Sequence, residues 1–296
     1  MVYQLPKLFP SLNTENKLIC VSGPGVTKDF SCLITDQLPD LQMQANGQAF
    51  PLYYYEERQK QTQSLFDEDG DNEFVRRDGI SDFILTRAKQ QYGKNVIKED
   101  IFYYVYGLLH SPTYRTIFAD DLKKMLPRLP LLDDVRQFWQ FSKAGRQLAA
   151  LHLDYETVAP LPEVTTAITK PDHYQVDKMR FPKKGQRDTI YYNPYITVNN
   201  IPAAAYDYIV NGRPAIEWVM ERYQQSTHKD SGITNNPNDW STEAGNPRYI
   251  LDLLLSVISL SVQTVEIVAK LPTVDFATAS VPDDAAPQST LKAKAK

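Results

Sequence analysis

Residues 17–35 read KLICVSGPGVTKDFSCLIT. Two runs rich in apolar and β-branched residues, 17–22 and 30–35, lie on either side of a Gly-Pro-Gly segment at 23–25. Short runs of this composition, bounded by glycine and proline, predict two strands joined by a turn. The pattern therefore predicts an antiparallel hairpin near the start of the chain.

The segment that follows extends the β-rich pattern. Residues 41–44 and 49–55 form a second pair of strand-like runs, separated by Asn-Gly at 46–47, which favours a two-residue hairpin turn. Residues 56–77 are polar and strongly acidic. They are predicted to be a solvated loop and not a calcium site, because the glycine and the final glutamate of a calcium loop are misplaced. We therefore expect a β-rich part over residues 1–77.

The pattern changes to helical over residues 78–156. Ser81 can cap a helix that reaches Tyr92 and ends at Gly93. Further helices are predicted over 98–110, 112–118, 120–126 and 133–153. The predicted core face of the last helix consists of Val135, Phe138, Trp139, Leu148, Ala149 and Leu151.

Residues 157–271 mix both types of element. Residues 160–177 are loop-like, and strands are predicted over 178–181, 189–193 and 196–199, and helices over 202–210, 214–223 and 249–269. The 21-residue polar loop 226–246 is expected to be ordered, because its asparagines can close local turns and Trp240 offers an anchor.

The helix over 249–269 is mostly apolar. Its longest uncharged run, residues 253–265, has 13 residues, whereas a membrane-spanning helix needs about 20. It is therefore predicted to be a buried core helix, with no membrane partner. Residues 272–296 hardly contain large apolar side chains and are predicted to be a disordered tail. Together these elements predict an α+β fold: small antiparallel β-sheets combined with a helical bundle, a long buried C-terminal helix and a disordered tail.

Composition excludes several classes of protein. The 296 residues carry 32 basic and 36 acidic side chains, a net charge of −4, which excludes a histone-like protein but not DNA binding through a local basic face. Cys20 is expected opposite Leu33 and not opposite Cys32, so no disulfide is expected. Free thiols and no recognisable signal segment indicate a cytoplasmic protein.

The residue patterns of common enzymes are missing. There is no Gly-rich phosphate loop with a following Lys-Ser/Thr, no nucleophile elbow, and no pair of histidines at metal-ligand spacing. Asn193-Pro194-Tyr195 partly matches the Asn-Pro-Pro-Tyr motif of amino-methyltransferases, but one proline is missing, so a turn between strands is predicted. We expect no catalytic residue, metal site or cofactor in this chain.

A basic segment near residue 180 is the strongest signal for binding. It contains five cations within ten residues, and tyrosines follow it on the adjacent strands. Basic side chains with interleaved aromatic rings suit contact with phosphates and stacking on bases; the alternative is a solvated face. The predicted DNA-binding residues are Lys178, Arg180, Lys183, Lys184, Arg187 and Tyr191, with Lys28, Arg76 and Arg77 as weaker candidates.

Several long segments also resemble one family. They include KLICVSGPGVTKDFSCLITDQLPDLQ (17–42), KEDIFYYVYGLLHSPTYRTIFADDLKKMLPRLP (98–130), YDYIVNGRPAIEWVMERYQ (206–224) and PRYILDLLLSVISLSVQTVEIV (247–268). Shorter matches lie at 48–57, 138–156 and 229–240. Together they resemble, over about residues 5–271, the C-terminal target-recognition region of Type ISP restriction–modification enzymes, often labelled "predicted helicase".

The resemblance implies sequence-specific recognition of double-stranded DNA. In that family one long chain carries a nuclease, a helicase-like motor, a coupler, an N6-adenine methyltransferase and a target-recognition domain. The resemblance covers only the last of these, so the catalytic parts are expected upstream of residue 1 or on an upstream methyltransferase/helicase polypeptide. Two alternatives remain open: a protein-interaction module that docks such a polypeptide, and a truncated remnant without function.

Overall fold

The computed structural model describes residues 5–40, 43–44, 46–58 and 73–276. The helices of this part of the chain are α1 (Leu5–Leu8), α2 (Asp82–Tyr92), α3 (Lys98–Leu109), α4 (Pro112–Ile117), α5 (Ala119–Lys124), α6 (Val135–Leu153), α7 (Ala215–Arg222), α8 (Asn238–Glu243) and α9 (Tyr249–Ala269).

The strands are short, and most pair with neighbours in the sequence. They are β1 (Leu18–Val21), β2 (Cys32–Thr35), β3 (Gln48–Pro51), β4 (Tyr53–Glu57), β5 (Phe74–Asp78), β6 (Thr165–Ile168), β7 (Ile190–Asn193), β8 (Ile196–Asn199), β9 (Ile209–Val210), β10 (Arg213–Pro214), β11 (Ser226–Thr227) and β12 (Thr234–Asn235). The pairs are antiparallel, which together with the helices confirms the α+β class.

The first hairpin forms as predicted. Strand β1 lies between β2 and β3 in a three-stranded sheet, and Cys20 is opposite Leu33. Cys20 and Cys32 are buried free thiols, so the expected absence of a bond between them is confirmed. Burial raises the pKa of Cys20 to about 11, and this thiol therefore stays protonated at neutral pH.

The second predicted hairpin is wrong. Met43 and Gln44 do not form a strand, while 41, 42 and 45 lie outside the described residues. Strand β3 pairs with β1 instead, because all four residues of β1 are buried and their backbone groups need partners on both edges. Leu52 is buried and donates its N–H to the Lys17 carbonyl, which separates β3 from β4.

Strand β5 was not predicted. It lies in the segment expected to be a solvated loop and pairs with β4 in a two-stranded sheet. Three consecutive exposed charged residues, Arg76 to Asp78, hide the strand character of Phe-Val-Arg-Arg-Asp, because this strand is held by pairing and not by burial. The acidic stretch 67–71 lies outside the described residues.

The helices of the first half start and end close to the predicted positions. Ser81 accepts a hydrogen bond from the Ile84 N–H, and Asp134 accepts one from Arg136 at the start of α6. Of the predicted core face of α6, Phe138, Leu148 and Ala149 are buried, whereas Val135 and Trp139 are 40% and 37% exposed. The buried face turns towards Phe141 and Gly145, because α3 crosses α6 there.

Two glycines allow α3 and α6 to approach closely. A β-carbon on Gly107 would overlap the carbonyl oxygen of Phe141, and one on Gly145 would overlap that of Tyr103. Only glycine fits where two helix backbones meet in this way. Around the crossing, Tyr92 stacks on Phe138 with ring centres 4.0 Å apart. The first core is therefore helix against helix, with the β1 sheet packed beside it.

The second core lies between residues 161 and 262. It contains the three-stranded sheet β6-β8-β7, with α7 and α9 packed against it. Strand β6 lies in the stretch 160–177 that was expected to be a loop; its side chains are largely exposed, so no apolar pattern marks it. The helix predicted over 202–210 is a single 3-10 turn, Ala203–Tyr206, followed by β9.

Helix α9 connects the two cores. Residues such as Leu254 and Ile258 are fully buried in the second core, while Ile267 and Val268 pack against the first. Among the described residues, α9 is the helix that is long and apolar enough to cross a membrane, but 72% of its most apolar window is buried inside the fold. Its apolar character is accounted for by core packing, as predicted.

The first residues of the predicted tail are ordered. Val274 and Phe276 are buried in the first core, where the Phe276 ring lies 5.6 Å from Tyr114 and 5.7 Å from Phe118. These two apolar residues attach the segment 274–276 to the first core. The mostly polar composition of 272–296 gave no sign of this contact. Residues 277–296 lie outside the described part of the chain.

Polar side chains join the two halves. The Asn211 N–H donates to Ser31 Oγ at 3.3 Å, and its side-chain amide donates to the Met43 carbonyl. Asn211 and Gly212 both have positive φ and form the tip of the β9–β10 hairpin.

An aromatic contact lies at the same junction. His152 stacks on Tyr208 with ring centres 5.3 Å apart, and burial lowers the pKa of His152 to about 3. The junction is therefore ordered and carries a neutral imidazole.

Candidate nucleic-acid interface

The basic segment is a loop and not a strand. Of the strand predicted over 178–181, only a bridge between Arg180 and Tyr191 forms, through hydrogen bonds of 3.1 and 2.9 Å. Met179 turns into the second core and is 4% exposed, whereas Lys178 and Arg180 are exposed on either side of it. The apolar anchor holds the loop on the core, and the two cations face solvent.

Arg180 and Tyr191 form a cation–aromatic pair. The guanidinium carbon of Arg180 lies 5.8 Å from the centre of the Tyr191 ring, and that ring is 38% exposed. A guanidinium beside an accessible ring can contact a phosphate while the ring packs on a sugar or base. The predicted combination of a cation with an aromatic residue is therefore present at this point.

Lys183 and Lys184 lie at the turn of the loop. Both are exposed, Gly185 follows with φ +86°, and the Gln186 N–H donates to the Lys183 carbonyl. The left-handed conformation at Gly185 closes the turn, so the two lysines project at its tip. Both ammonium groups are therefore accessible to solvent at this turn.

Arg187 is held by neighbours. Its guanidinium lies 2.8 Å from a carboxylate oxygen of Glu217 and 5.1 Å from the Tyr206 ring, and its side chain is half exposed. The same carboxylate group also accepts from Arg213 at 3.3 Å. Glu217 therefore neutralises part of the charge that the sequence assigned to Arg187, and it links the basic segment to β10 and α7.

Lys28 belongs to the same neighbourhood, although 159 positions separate it from Arg187. Its ammonium lies 5.5 Å from the centre of the Trp218 ring, which Arg213 and Arg222 approach at 5.5 and 5.4 Å. Arg213 also pairs with Glu221, and this ion pair lowers the pKa of the Glu221 carboxyl. Three cations from two halves of the fold thus surround one indole ring.

Arg76 and Arg77 lie elsewhere, on β5. The Arg76 guanidinium is 4.4 Å from the Tyr53 ring, and Arg77 pairs with Glu56 at 3.0 Å. These partners belong to β4, in the first half of the fold. The structure therefore brings Lys28 next to the cluster that contains Arg187, and gives Arg76 and Arg77 separate local partners.

Sequence reasoning missed Trp218, Arg213 and Arg222. A signal was present: Arg213, Glu217 and Glu221 recur at intervals of four, as do Trp218 and Arg222. Such spacing places side chains on one helix face. These residues lie in or next to the helix predicted over 214–223, and the stretch 213–222 carries no net charge that would mark it as basic.

Asn193 has a structural role. Its side-chain amide donates to the carbonyl oxygens of His173 and Gln175, and its Oδ1 accepts from the N–H groups of Tyr195 and Ile196. These four bonds use the donors and acceptors that a methyltransferase would present to a target amine. The predicted turn between strands is confirmed.

The polar segment 226–246 is folded, as expected, but its anchor differs. It contains the β11–β12 hairpin and α8. Trp240 is 57% exposed, whereas Asn238 is buried and bonds to both the N–H and the carbonyl of Val176 at 2.8 Å. A backbone-mimicking amide, and not the indole ring, attaches the segment to the second core.

Known proteins resemble this chain over most of its length. The family model "Type ISP C-terminal specificity domain" matches residues 1–253. A structure of a nuclease-deletion mutant of the Type ISP restriction–modification enzyme LlaGI, in complex with a DNA substrate mimic, is 41% identical over 91% of this chain, with a TM-score of 0.73. The ATP-dependent Type ISP enzyme LlaBIII bound to DNA is 40% identical over 92%, with a TM-score of 0.78.

A third solved structure, the DrdV–DNA complex, is 31% identical over 91% of the chain, with a TM-score of 0.73. The chain spans only 22%, 17% and 26% of the lengths of these three proteins. No curated protein gives a significant match. The match to the family model and the similarity of fold agree with the motifs quoted above, and the chain belongs to the family of Type ISP C-terminal specificity domains.

Proposed function

We propose that this domain recognises a specific sequence in double-stranded DNA as the specificity part of a Type ISP restriction–modification enzyme. The observation that carries the proposal is its similarity in sequence and fold, over nine-tenths of its length, to parts of three proteins solved with DNA. The exposed loop around Gly185 adds a basic surface of the kind that phosphate contact needs.

In this proposal, phosphates and bases are contacted by different residues. Lys178, Arg180, Lys183 and Lys184 contact the backbone, with Tyr191 beside them. Their long cationic side chains give affinity and position but carry no sequence information. Base contacts come from polar side chains on other loops. Arg187 contributes less, because Glu217 already pairs with it.

The test compares duplex binding at several salt concentrations. Each phosphate contact contributes about −0.9 to the slope of log K against log salt. The Lys183→Ala/Lys184→Ala variant is expected to bind with a slope shallower by about 1 to 2, equally on all sequences. The matched control is Lys89→Ala/Lys94→Ala, two exposed lysines near the end of α2. An unchanged slope in the first variant would show that the loop is only a solvated face.

We further propose that motor, nuclease and methyl-transfer activities are supplied by other parts of the enzyme or by an upstream polypeptide. The patterns for nucleotide and methyl-donor binding are absent from this sequence. The isolated domain is expected to turn over neither ATP nor a methyl donor in the presence of DNA. Turnover above a buffer control would contradict this assignment.

A second function, docking of a partner polypeptide, is supported by one specific feature. Apolar side chains are exposed near the N-terminus: Leu12 fully, Leu5 at 43% and Tyr54 at 37%. Helix α1 packs beside β4, so Leu5 and Tyr54 lie on neighbouring elements. Exposed apolar surface of this kind marks contact sites. A Leu5→Asp/Leu12→Asp variant that binds DNA normally but no longer binds the methyltransferase part would establish docking as a separate role.

A further inference from the structure

A cavity lies where the two halves of the fold meet. Its volume is about 620 Å³, and its walls come from β2 of the first half and from α7 and α9 of the second, including Leu33, Thr35, Tyr208, Trp218, Arg222 and Val257. Ligand sites in proteins commonly have volumes of about 300 to 1,000 Å³ and form between domains. This space is too small for a duplex but large enough for one nucleotide.

The lining suits a flat aromatic ligand. Leu33, Val257 and Leu260 supply apolar surface, and Tyr208 and Trp218 supply aromatic rings. Tyr208 is backed by the imidazole of His152, which burial keeps neutral at pH 7. Stacking on such rings binds nucleobases with little dependence on their identity.

The cations around Trp218 give the cavity one charged side. Arg222 lines the cavity and is exposed, and Lys28 approaches the same indole ring. Glu217 and Glu221 form their ion pairs with Arg187 and Arg213. The charges of Arg222 and Lys28 add to that of Arg213 in lowering the pKa of the Glu221 carboxyl, so Glu221 balances part of this positive charge. Arg222 itself lines the cavity, and its exposed guanidinium can donate charge-assisted hydrogen bonds to an anion there.

The cavity lining also contains an acid. Asp36 and Gln37 follow β2, line the cavity and are exposed. A carboxylate accepts hydrogen bonds from the exocyclic amino groups of bases, whereas it repels a phosphate. The lining thus combines a guanidinium, apolar and aromatic side chains and a carboxylate, which match the phosphate, the ring and the exocyclic amino group of a nucleotide.

We propose that this cavity binds a single unpaired nucleotide, with the base among Leu33, Tyr208 and Trp218 and the phosphate at Arg222. The nucleotide is either free in solution or displaced from a duplex. In the second case the inference rests on the proposed DNA recognition and adds a site that holds a base outside the double helix.

The experiment follows tryptophan fluorescence, since Trp218 lines the cavity. The probes are dAMP, dCMP, dGMP and TMP, inorganic phosphate, and two duplexes that differ only by one unpaired nucleotide. We expect saturable quenching by the mononucleotides and tighter binding of the duplex with the unpaired nucleotide. Trp218→Phe should remove the quenching, because Trp139 and Trp240 lie elsewhere.

Two kinds of variant separate the phosphate from the base. Arg222→Ala should weaken mononucleotide binding about tenfold, as expected for one lost charge-assisted contact, while the exposed Arg136→Ala on α6 should not. Leu33→Phe fills the cavity from the half-buried face of β2 and should abolish mononucleotide binding without adding a tryptophan. If circular dichroism shows that Leu33→Phe does not fold, Thr35→Phe fills the same space.

The proposal is overturned if no mononucleotide quenches, or if inorganic phosphate binds as tightly and a folded filling variant changes nothing. The fully paired duplex reports the proposed function separately. If the protein binds that duplex but shows no preference for the unpaired nucleotide and binds no mononucleotide, the cavity proposal fails while the proposed function stands. Mononucleotide binding without duplex binding supports the cavity and contradicts the proposed function.

Discussion

The hydroxyl oxygen of Tyr106 lies 2.6 Å from Nδ1 of His152, and both side chains are buried. On its other side, His152 Nε2 lies 3.0 Å from the hydroxyl of Thr264 on α9. A neutral imidazole satisfies both partners, because Tyr106 donates to Nδ1 and Nε2–H donates to Thr264. One histidine thus connects α3, α6 and α9 at the junction of the two cores.

This contact predicts a specific dependence of stability on pH. Burial lowers the pKa of His152 from about 6.5 in the unfolded chain to about 3 in the fold. Between these values the unfolded state binds a proton that the folded state does not, so acidification destabilises the fold by about 1.4 kcal/mol per pH unit. His152 therefore contributes a loss of about 2 kcal/mol between pH 6.5 and pH 5.

The measurement is urea unfolding of His152→Gln at pH 7.5 and pH 5. The variant should be less stable at pH 7.5, because the bonds to Tyr106 and Thr264 are disturbed, yet lose less stability on acidification than the native chain. The exposed His228 provides the control, and His228→Gln should behave like the native chain. Parallel pH profiles for all three proteins would refute the assignment.

Gly145→Ala should destabilise the fold by about 1 to 3 kcal/mol or more, as for overpacked cores. The added methyl group would overlap the Tyr103 carbonyl and push α3 away from α6. Thermal unfolding measures the change. Gln147→Ala, on the exposed side of the same helix, should be nearly neutral. Equal melting temperatures for Gly145→Ala and the native chain would show that the helices do not meet so closely.

Residues 274–276 should be required for stability. Phe276→Ala removes a buried ring beside Tyr114 and Phe118 and should cost about 3 kcal/mol or more. A chain that ends at residue 276 should unfold like the full-length protein in a denaturant titration, whereas one that ends at 270 should be markedly less stable. If both truncated chains match the full-length protein, the packing of Val274 and Phe276 does not contribute.

Asn238→Ala should release the segment around α8 from the second core. Its side chain makes two hydrogen bonds to the Val176 backbone, and losing buried bonds of this kind costs about 1 to 3 kcal/mol. Amide exchange at Val176 should accelerate, while the control Asn235→Ala, at an exposed position of β12, should leave it unchanged. Slow exchange at Val176 in the Asn238 variant would contradict the anchoring role.

The helices could be predicted from the sequence because their signals are local. Ser81 and Gly93 bound α2, and the apolar character of α9 marks it as a core helix. The β1–β2 hairpin and its register, Cys20 opposite Leu33, also followed from neighbouring residues. In each case the bonds that define the element join residues close together in the chain.

The remaining features depend on contacts between distant residues. Strand β3 pairs with β1 and not with its neighbour in sequence, and β6 pairs with β8 across about 30 positions. Phe276 is buried only because the end of α9 directs the chain back to α4. No periodicity reports such pairings, because the competing partners have similar local sequences.

The candidate site also combines features that the sequence predicts with features that depend on tertiary contacts. Five cations near residue 180 are evident from the sequence, because charge is a property of each residue. The sequence could not show that Glu217 pairs with Arg187, or that Lys28 reaches Trp218 from the other half of the fold. Ion pairs and stacking act over about 3 to 6 Å, so only the tertiary structure determined which of these charges are paired and which lie beside the cavity.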